Sequence, residues 1–203
     1  MQGLADSRKG VIPWSPIFHA RNIPVAEPVE AATGISCILA NDANMMAEGI
    51  AARDADSPGR VTAVIFTGGG VGMGLILDGK VFYGSTGAAS EFGHVNHIPY
   101  GALCRCGRKG CVEAYAADYG IVRMAEGGGD ADLKTVQPEK MTELLARAQA
   151  GDKAVVAAFA KAGEALGFGI SRLIAIINPD RIIVAGPSLP AAEFTEKAMH
   201  QAI

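Results

Sequence analysis

The sequence predicts an α/β fold with mixed sheets, and three observations carry that prediction. Short apolar runs such as VTAVIF and RIIVA, set off by Gly and polar turns, alternate with longer segments of helical periodicity. Asp78-Gly79 stands between two apolar runs, which marks a hairpin. The 203 residues are 49% hydrophobic and 19% charged, enough for one large domain or two small ones with a sizeable core.

Taken in order, residues 22–32 read as a helix stopped by Gly34. ISCILA at 35–40 reads as a buried strand ending at Asn41-Asp42, with Cys37 a small buried hydrophobe inside it. A helix rich in Ala and Met is expected over 44–56, strands over 61–67 and 74–78, and a return strand over 80–83. Residues 84–110 are Gly-rich with little periodicity, so they form a long loop; loops of that length inside a compact domain usually carry function.

A helix is expected from about Cys111 to Glu126. GGGDADLKTVQP then forms a linker, with Gly127–Asp130 a flexible low-complexity patch. Helices follow over 139–149 and 152–177. In the second, Val155, Val156, Phe159, Ala162, Leu166, Ile170 and Leu173 recur at helical spacing. Pro179 ends it, RIIVAG is a strand, and 191–202 start a last helix. No internal repeat is present.

Net charge is −3, the isoelectric point about 5.8 and mean hydropathy +0.22. Arg105, Arg108 and Lys109 form only a local basic loop, so the chain lacks the basic stripe that neutralises phosphates in nucleic-acid binders. No apolar run approaches the roughly 20 residues of a membrane span, and MQGLADSRKG has no apolar leader core. A soluble, cytoplasmic protein with no membrane partner is expected.

Cys104, Cys106 and Cys111 lie within eight positions, and in a reducing compartment such a cluster points to metal rather than disulfides. With His94 the spacing is His-x9-Cys-x-Cys-x4-Cys, a donor set for one structural, tetrahedral Zn²⁺. Gly107 and Gly110 would let the backbone bend so that Cys111 returns to the ion. On spacing alone, His97 serves as well as His94 for the fourth ligand.

Asn41 and Asp42 follow an apolar run, Glu91 and His94 are three apart, and Glu113 lies just beyond the last cysteine. This set could hold the hydroxyls of a hexose, with Asp42 able to act as a general base. Equally, Asp42 could cap the helix that follows, and Glu113 could be a first-turn acid favoured by a helix dipole.

Four segments together resemble the ROK family of sugar kinases and sugar-responsive repressors: Asn41-Asp42-Ala43-Asn44, the Gly-rich stretch Gly68–Gly74, Glu91-Phe92-Gly93-His94, and Cys104 through Glu113. The resemblance implies the actin-like ATPase (ribonuclease H-like) fold, mostly its C-terminal lobe, with a zinc-stapled loop. It implies a sugar pocket of Asn41, Asp42, Glu91, His94 and Glu113, with Asp42 in the catalytic-base position, and it favours His94 as the zinc ligand. Residues 1–42 would then be the remainder of a small lobe and the cleft, and 43–203 the large sugar-binding and zinc lobe. A phosphate-loop lobe and any DNA-binding domain would lie outside the 203 residues, so DNA would be reached only through an upstream domain. A homo-oligomer is expected; the apolar faces of the 139–177 helices are candidate contacts, with burial inside the lobe the favoured use of those side chains.

Gly68, Gly70, Gly72 and Gly186 stand where the family's kinases approach ATP·Mg²⁺. However, Gly69 replaces the Thr of the kinase loop, Gly186 is followed by Pro187, and no Asp-x-Gly-x-Thr motif occurs in the 203 residues. Proline removes a donor and fixes φ. The expectation is therefore the effector-binding part of a ROK-type transcriptional regulator. The alternative is a fragment of an ATP-dependent hexose or amino-sugar kinase with Asp42 as base.

Overall fold

The computed structural model describes residues 3–15, 17–53, 59–85, 87, 90–128 and 135–203. The chain divides into two compact units: Met1–Val64 with Met73–Glu91 and Asp180–Ile183, and Ile65–Gly72 with Phe92–Pro179 and Val184–Ile203.

The first unit opens with an antiparallel meander that the sequence reading does not anticipate: β1 (Leu4–Asp6), β2 (Val11–Trp14) and β3 (Ile23–Pro24), in order β1-β2-β3. The Asp6 carboxylate accepts from the backbone N–H of Arg8 at 3.2 Å and Lys9 at 3.1 Å, closing the first turn. Ala5, Ile12 and Leu39 form its small core.

Helix α1 (Ala26–Thr33) starts later than residue 22 because Ile23–Pro24 is claimed by the meander. Gly34 caps it in the left-handed conformation at φ 69°, its N–H donating to the Glu30 carbonyl at 2.8 Å. The strand expected at 35–40 is not formed. Ile35 and Ile38 are 70% and 84% exposed, and the Cys37 N–H is taken by Glu30 Oε1 at 2.8 Å rather than by a neighbouring strand. Cys37 itself is half-buried, not a core residue. An apolar run becomes a strand only where a ladder partner meets it.

Helix α2 (Asp42–Ala51) begins two residues before the expected 44; residues 54–56 of the expected span lie outside the described residues. Asn41 caps it, its Oδ1 accepting from Ala43 N at 2.9 Å and Asn44 N at 3.3 Å. Ala47, Ala51, Val64 and Ile76 form one core cluster. A Cβ on Gly74 would lie 2.5 Å from the Ala47 Cβ, so this glycine lets the helix lie flush on the sheet.

The second sheet has the order β6-β5-β4-β7, from β4 (Val61–Thr67), β5 (Val71–Leu77), β6 (Lys80–Val81) and β7 (Arg181–Ala185). Asp78 and Gly79, at φ 51° and 74°, make the expected two-residue hairpin, with Leu77 paired to Lys80. β5 starts three residues before the expected 74, so Gly72 and Gly74 belong to a strand and only Gly68–Gly70 form the turn.

The second unit is helical around one core, in which Ile121, Leu144, Val155, Phe159 and Ala162 are buried. Its helices are α3 (Glu113–Ala116), α4 (Asp118–Glu126), α5 (Pro138–Gln149), α6 (Lys153–Ile177) and α7 (Ala192–Ala202). The single helix expected from Cys111 to Glu126 is broken at Ala117 (φ −80°, ψ 159°), because the Asp118 N–H donates to the Gly68 carbonyl at 2.9 Å. Of the linker, residues 129–134 lie outside the described residues.

Asp152 caps α6, accepting from Ala154 N at 3.1 Å and Val155 N at 3.4 Å. α6 buries the expected stripe except Val156, which is half-buried. Gly163 and Gly167 admit α7: a Cβ on either would stand 2.1 Å from the Thr195 carbonyl oxygen or 2.3 Å from that of Met199. By length and composition α6 could cross a membrane, but 56% of its most apolar window is buried inside the protein, as in a core helix.

Candidate functional site

The Gly-rich loop is folded by backbone hydrogen bonds onto itself. His97 and Ile98 donate to the Gly110 carbonyl at 2.6 and 3.1 Å, Gly110 donates back to Ala102 at 2.8 Å, and Cys104 N–H reaches Arg108 at 2.8 Å. Gly107 and Gly110 both take φ 85°, the reversal expected of them. At Gly110 the space is also closed: a Cβ would sit 1.7 Å from the Ile98 carbonyl oxygen. Gly110→Ala is therefore expected to destabilise the unit by roughly 3 kcal/mol or more, the range of an overpacked and strained position. Thermal denaturation checks this, with Gly107→Ala, strained in φ but sterically open, costing less.

These bonds bring four donors together. One ligand atom each from His94, Cys104, Cys106 and Cys111 lies within 4.8 Å of the others. Cys104 Sγ is 3.7 Å from His94 Nδ1, and Cys106 Sγ is 3.8 Å from Cys111 Sγ. A tetrahedral ion with metal–sulfur bonds of about 2.3 Å needs sulfurs about 3.8 Å apart, so the set fits such an ion. All four cysteines are free thiols. Burial opposes charging His94, but the Cys104 thiol and the Glu113 carboxylate outweigh it and lift the imidazole to about 9. Hydrogen bonding to Cys111, and after it burial, pushes Cys104, the most enclosed donor, up to about 12. His97 is not in the cluster. Its ring packs between Tyr115 (5.2 Å) and Phe168 (5.4 Å).

Glu113 backs the cluster from the first turn of α3 and is 8% exposed. Its Oε1 accepts from Tyr119 Oη at 3.3 Å and Cys104 Sγ at 3.6 Å, and its Oε2 from the Val71 N–H at 3.2 Å. The carboxylate thus ties the cysteine loop to the start of β5. Tyr119 carries no signal in the sequence, and Arg105 stands there only as part of a local basic loop. Tyr119, 1% exposed, also donates to Cys104 Sγ at 3.6 Å. Arg105 donates to the Gly69 carbonyl at 2.8 Å and lies 4.3 Å over the Tyr119 ring. Their role depends on the break at Ala117, which linear spacing does not signal.

Asn41 and Asp42 belong to the first unit, at the start of α2. Asn41 Nδ2 also donates to the Gly3 carbonyl at 3.2 Å, and Asp42 Oδ1 accepts from Ala43 N at 3.0 Å. Glu91 is exposed and directly precedes the 3-10 turn Phe92–His94. Gly68 and Gly186 are crowded rather than open. A Cβ on Gly68 would meet the Pro187 ring at 2.8 Å, and one on Gly186, at φ 125°, the Thr67 carbonyl oxygen at 2.1 Å. Ser188 Oγ, next in that turn, donates to Asp118 Oδ1 at 3.2 Å.

The family model described as the ROK family matches residues 1–203. The chain belongs to the ROK family. A glucokinase of Halalkalibacterium halodurans is 32% identical over 91% of the chain, which spans 60% of that enzyme's length. Among solved structures, a ROK glucokinase from Streptomyces griseus in complex with glucose and AMPPNP matches 98% of this ROK chain, at 26% identity and a TM-score of 0.80, over 68% of the enzyme. A ROK transcriptional regulator homologous to Escherichia coli Mlc matches all of it, at 28% identity and a TM-score of 0.77, over 52% of the regulator. The fold is thus the actin-like ATPase fold of ROK kinases and regulators, and relatives of both kinds exist.

Proposed function

We propose that this chain is the sugar-binding part of a sugar-responsive ROK regulator, held together by one structural Zn²⁺. The observation that carries the regulator reading is the Gly186-Pro187 turn: the Pro187 ring occupies the space over Gly68, in a loop where Gly69 replaces a hydroxyl. A nucleotide phosphate there would meet a proline ring and fewer donors. The sugar-side residues Asn41, Asp42, Glu91, His94 and Glu113 are all present and would hydrogen-bond the hydroxyls of a hexose. His94, Cys104, Cys106 and Cys111 would hold the zinc, which with four protein ligands supplies loop order rather than chemistry.

In this reading residues 1–42 and 43–203 belong to the small and large lobes of a cytoplasmic homo-oligomer, and DNA is reached through a segment beyond the 203 residues. Sugar binding shifts the protein between two arrangements by its differential affinity for them.

Asp42 favours a second reading, since a sensor has no need of a base and the similar glucokinases carry out phosphoryl transfer by name. There Asp42 would deprotonate the sugar hydroxyl while ATP·Mg²⁺, approaching Gly68, Gly70, Gly72 and Gly186, supplied the phosphoryl group. A coupled assay of the full-length protein with glucose, mannose and N-acetyl amino sugars separates the two. The regulator reading expects no ATP-dependent product above background; turnover at ordinary kinase rates of about 1–100 per second establishes the enzyme instead.

A further inference from the structure

A cavity of about 540 Å³ opens on the second unit beside the cysteine loop and takes no part in the readings above. Arg123, on α4, lines it and is 7% exposed. Its guanidinium donates to the carbonyls of Leu103 and Ala114 and lies 5.9 Å over the Tyr115 ring. Among the described ion pairs no carboxylate meets it. A permanently charged group that is buried ordinarily has a counter-charge, and here the open side is the cavity.

Two further cations, Lys161 and Arg172, line the same cavity from α6, with Glu164 the single acid among its described lining residues. The walls between them are aromatic: Phe168, Tyr115 and the ring of His97. Cations and flat apolar faces describe a ligand with a phosphate and a ring with an apolar face.

We infer that this cavity is a second small-molecule site, for a phosphorylated ring of the sugar-phosphate class, separate from the residues assigned to the free sugar. The phosphate answers the cations Arg123, Lys161 and Arg172, and the C–H face of the ring lies on the aromatic wall. The inference stands apart from the choice between regulator and kinase.

The probe is glucose 6-phosphate, titrated calorimetrically into the purified chain, with inorganic phosphate as the comparison. Glucose 6-phosphate is expected to bind at least about tenfold more tightly than inorganic phosphate, since only the former uses the aromatic wall. Lys161 and Arg172 are exposed, so the double variant Lys161→Ala/Arg172→Ala should keep its melting temperature and lose about tenfold or more in affinity. Asp42→Ala should leave glucose 6-phosphate binding unchanged. The inference is overturned by no binding to the parent, by equal binding of the two anions, by unchanged binding to the double variant, or by loss of binding in Asp42→Ala, which would put the phosphate sugar at the free-sugar residues.

Discussion

Cys106→Ser is expected to abolish stoichiometric zinc binding and to lower the thermal midpoint by roughly 10 °C. That is the size of losing a ligand held at about a thousand times its dissociation constant, some 4 kcal/mol, in a chain of this length. Cys106 is the suitable position because it is half-buried, whereas Cys104 and Cys111 are 0% and 2% exposed and would add a packing defect. Backbone hydrogen bonds such as His97 to Gly110 and Val112 to Val95 close the loop, and a metal cross-link at its base would add to them. Metal analysis and calorimetric melting read the two effects separately; one zinc per chain in the variant contradicts the ligand assignment. Zinc must displace the protons of both His94 and Cys104, which are held up to about 9 and about 12, so affinity falls steadily as pH is lowered through and below that range.

Asp42→Ala is expected to weaken hexose binding about 10- to 100-fold, the cost of one or two charge-assisted hydrogen bonds, while shifting stability by less than about 1 kcal/mol. The fold tolerates the change because the cap of α2 is Asn41, not Asp42; Asp42 contributes a first-turn charge and shares the Ala43 N–H that Asn41 already accepts. Asp42→Asn sharpens the result. It keeps the hydrogen-bonding shape, so a sensor retains most of its sugar affinity, whereas a kinase loses its base and about 10²- to 10⁴-fold in turnover.

The cysteine cluster was legible because its ligands fall within eighteen positions and carry their chemistry in their identity. The choice between His94 and His97 was not legible from spacing; it depends on the turn Phe92–His94 and on Tyr115 and Phe168, which take up the second ring. The core of α6 could be read from periodicity, since one face meets one set of neighbours.

ISCILA misleads for the opposite reason: its composition is strand-like, but a strand needs a partner, and periodicity says nothing of partners. The β1-β2-β3 meander is hidden by Gly, Pro and charged residues in its turns and edges. Glycine has several uses that look alike in sequence. Gly74 lets a helix lie on the sheet, Gly110 permits a reversal, and Gly68 makes room for Pro187. The carboxylates are similar: Glu113 is recognisable as an acid near the cluster, but its grip on Val71, Tyr119 and Cys104 appears only in three dimensions.

The most direct test of the account is calorimetric titration of the purified chain with glucose, mannose and N-acetyl amino sugars in the absence of nucleotide. Saturable, one-site binding of at least one of them is expected, weakened in Asp42→Ala and indifferent to added ATP·Mg²⁺. No binding of any of these sugars to the folded, zinc-loaded chain, or binding that requires ATP·Mg²⁺, would contradict it.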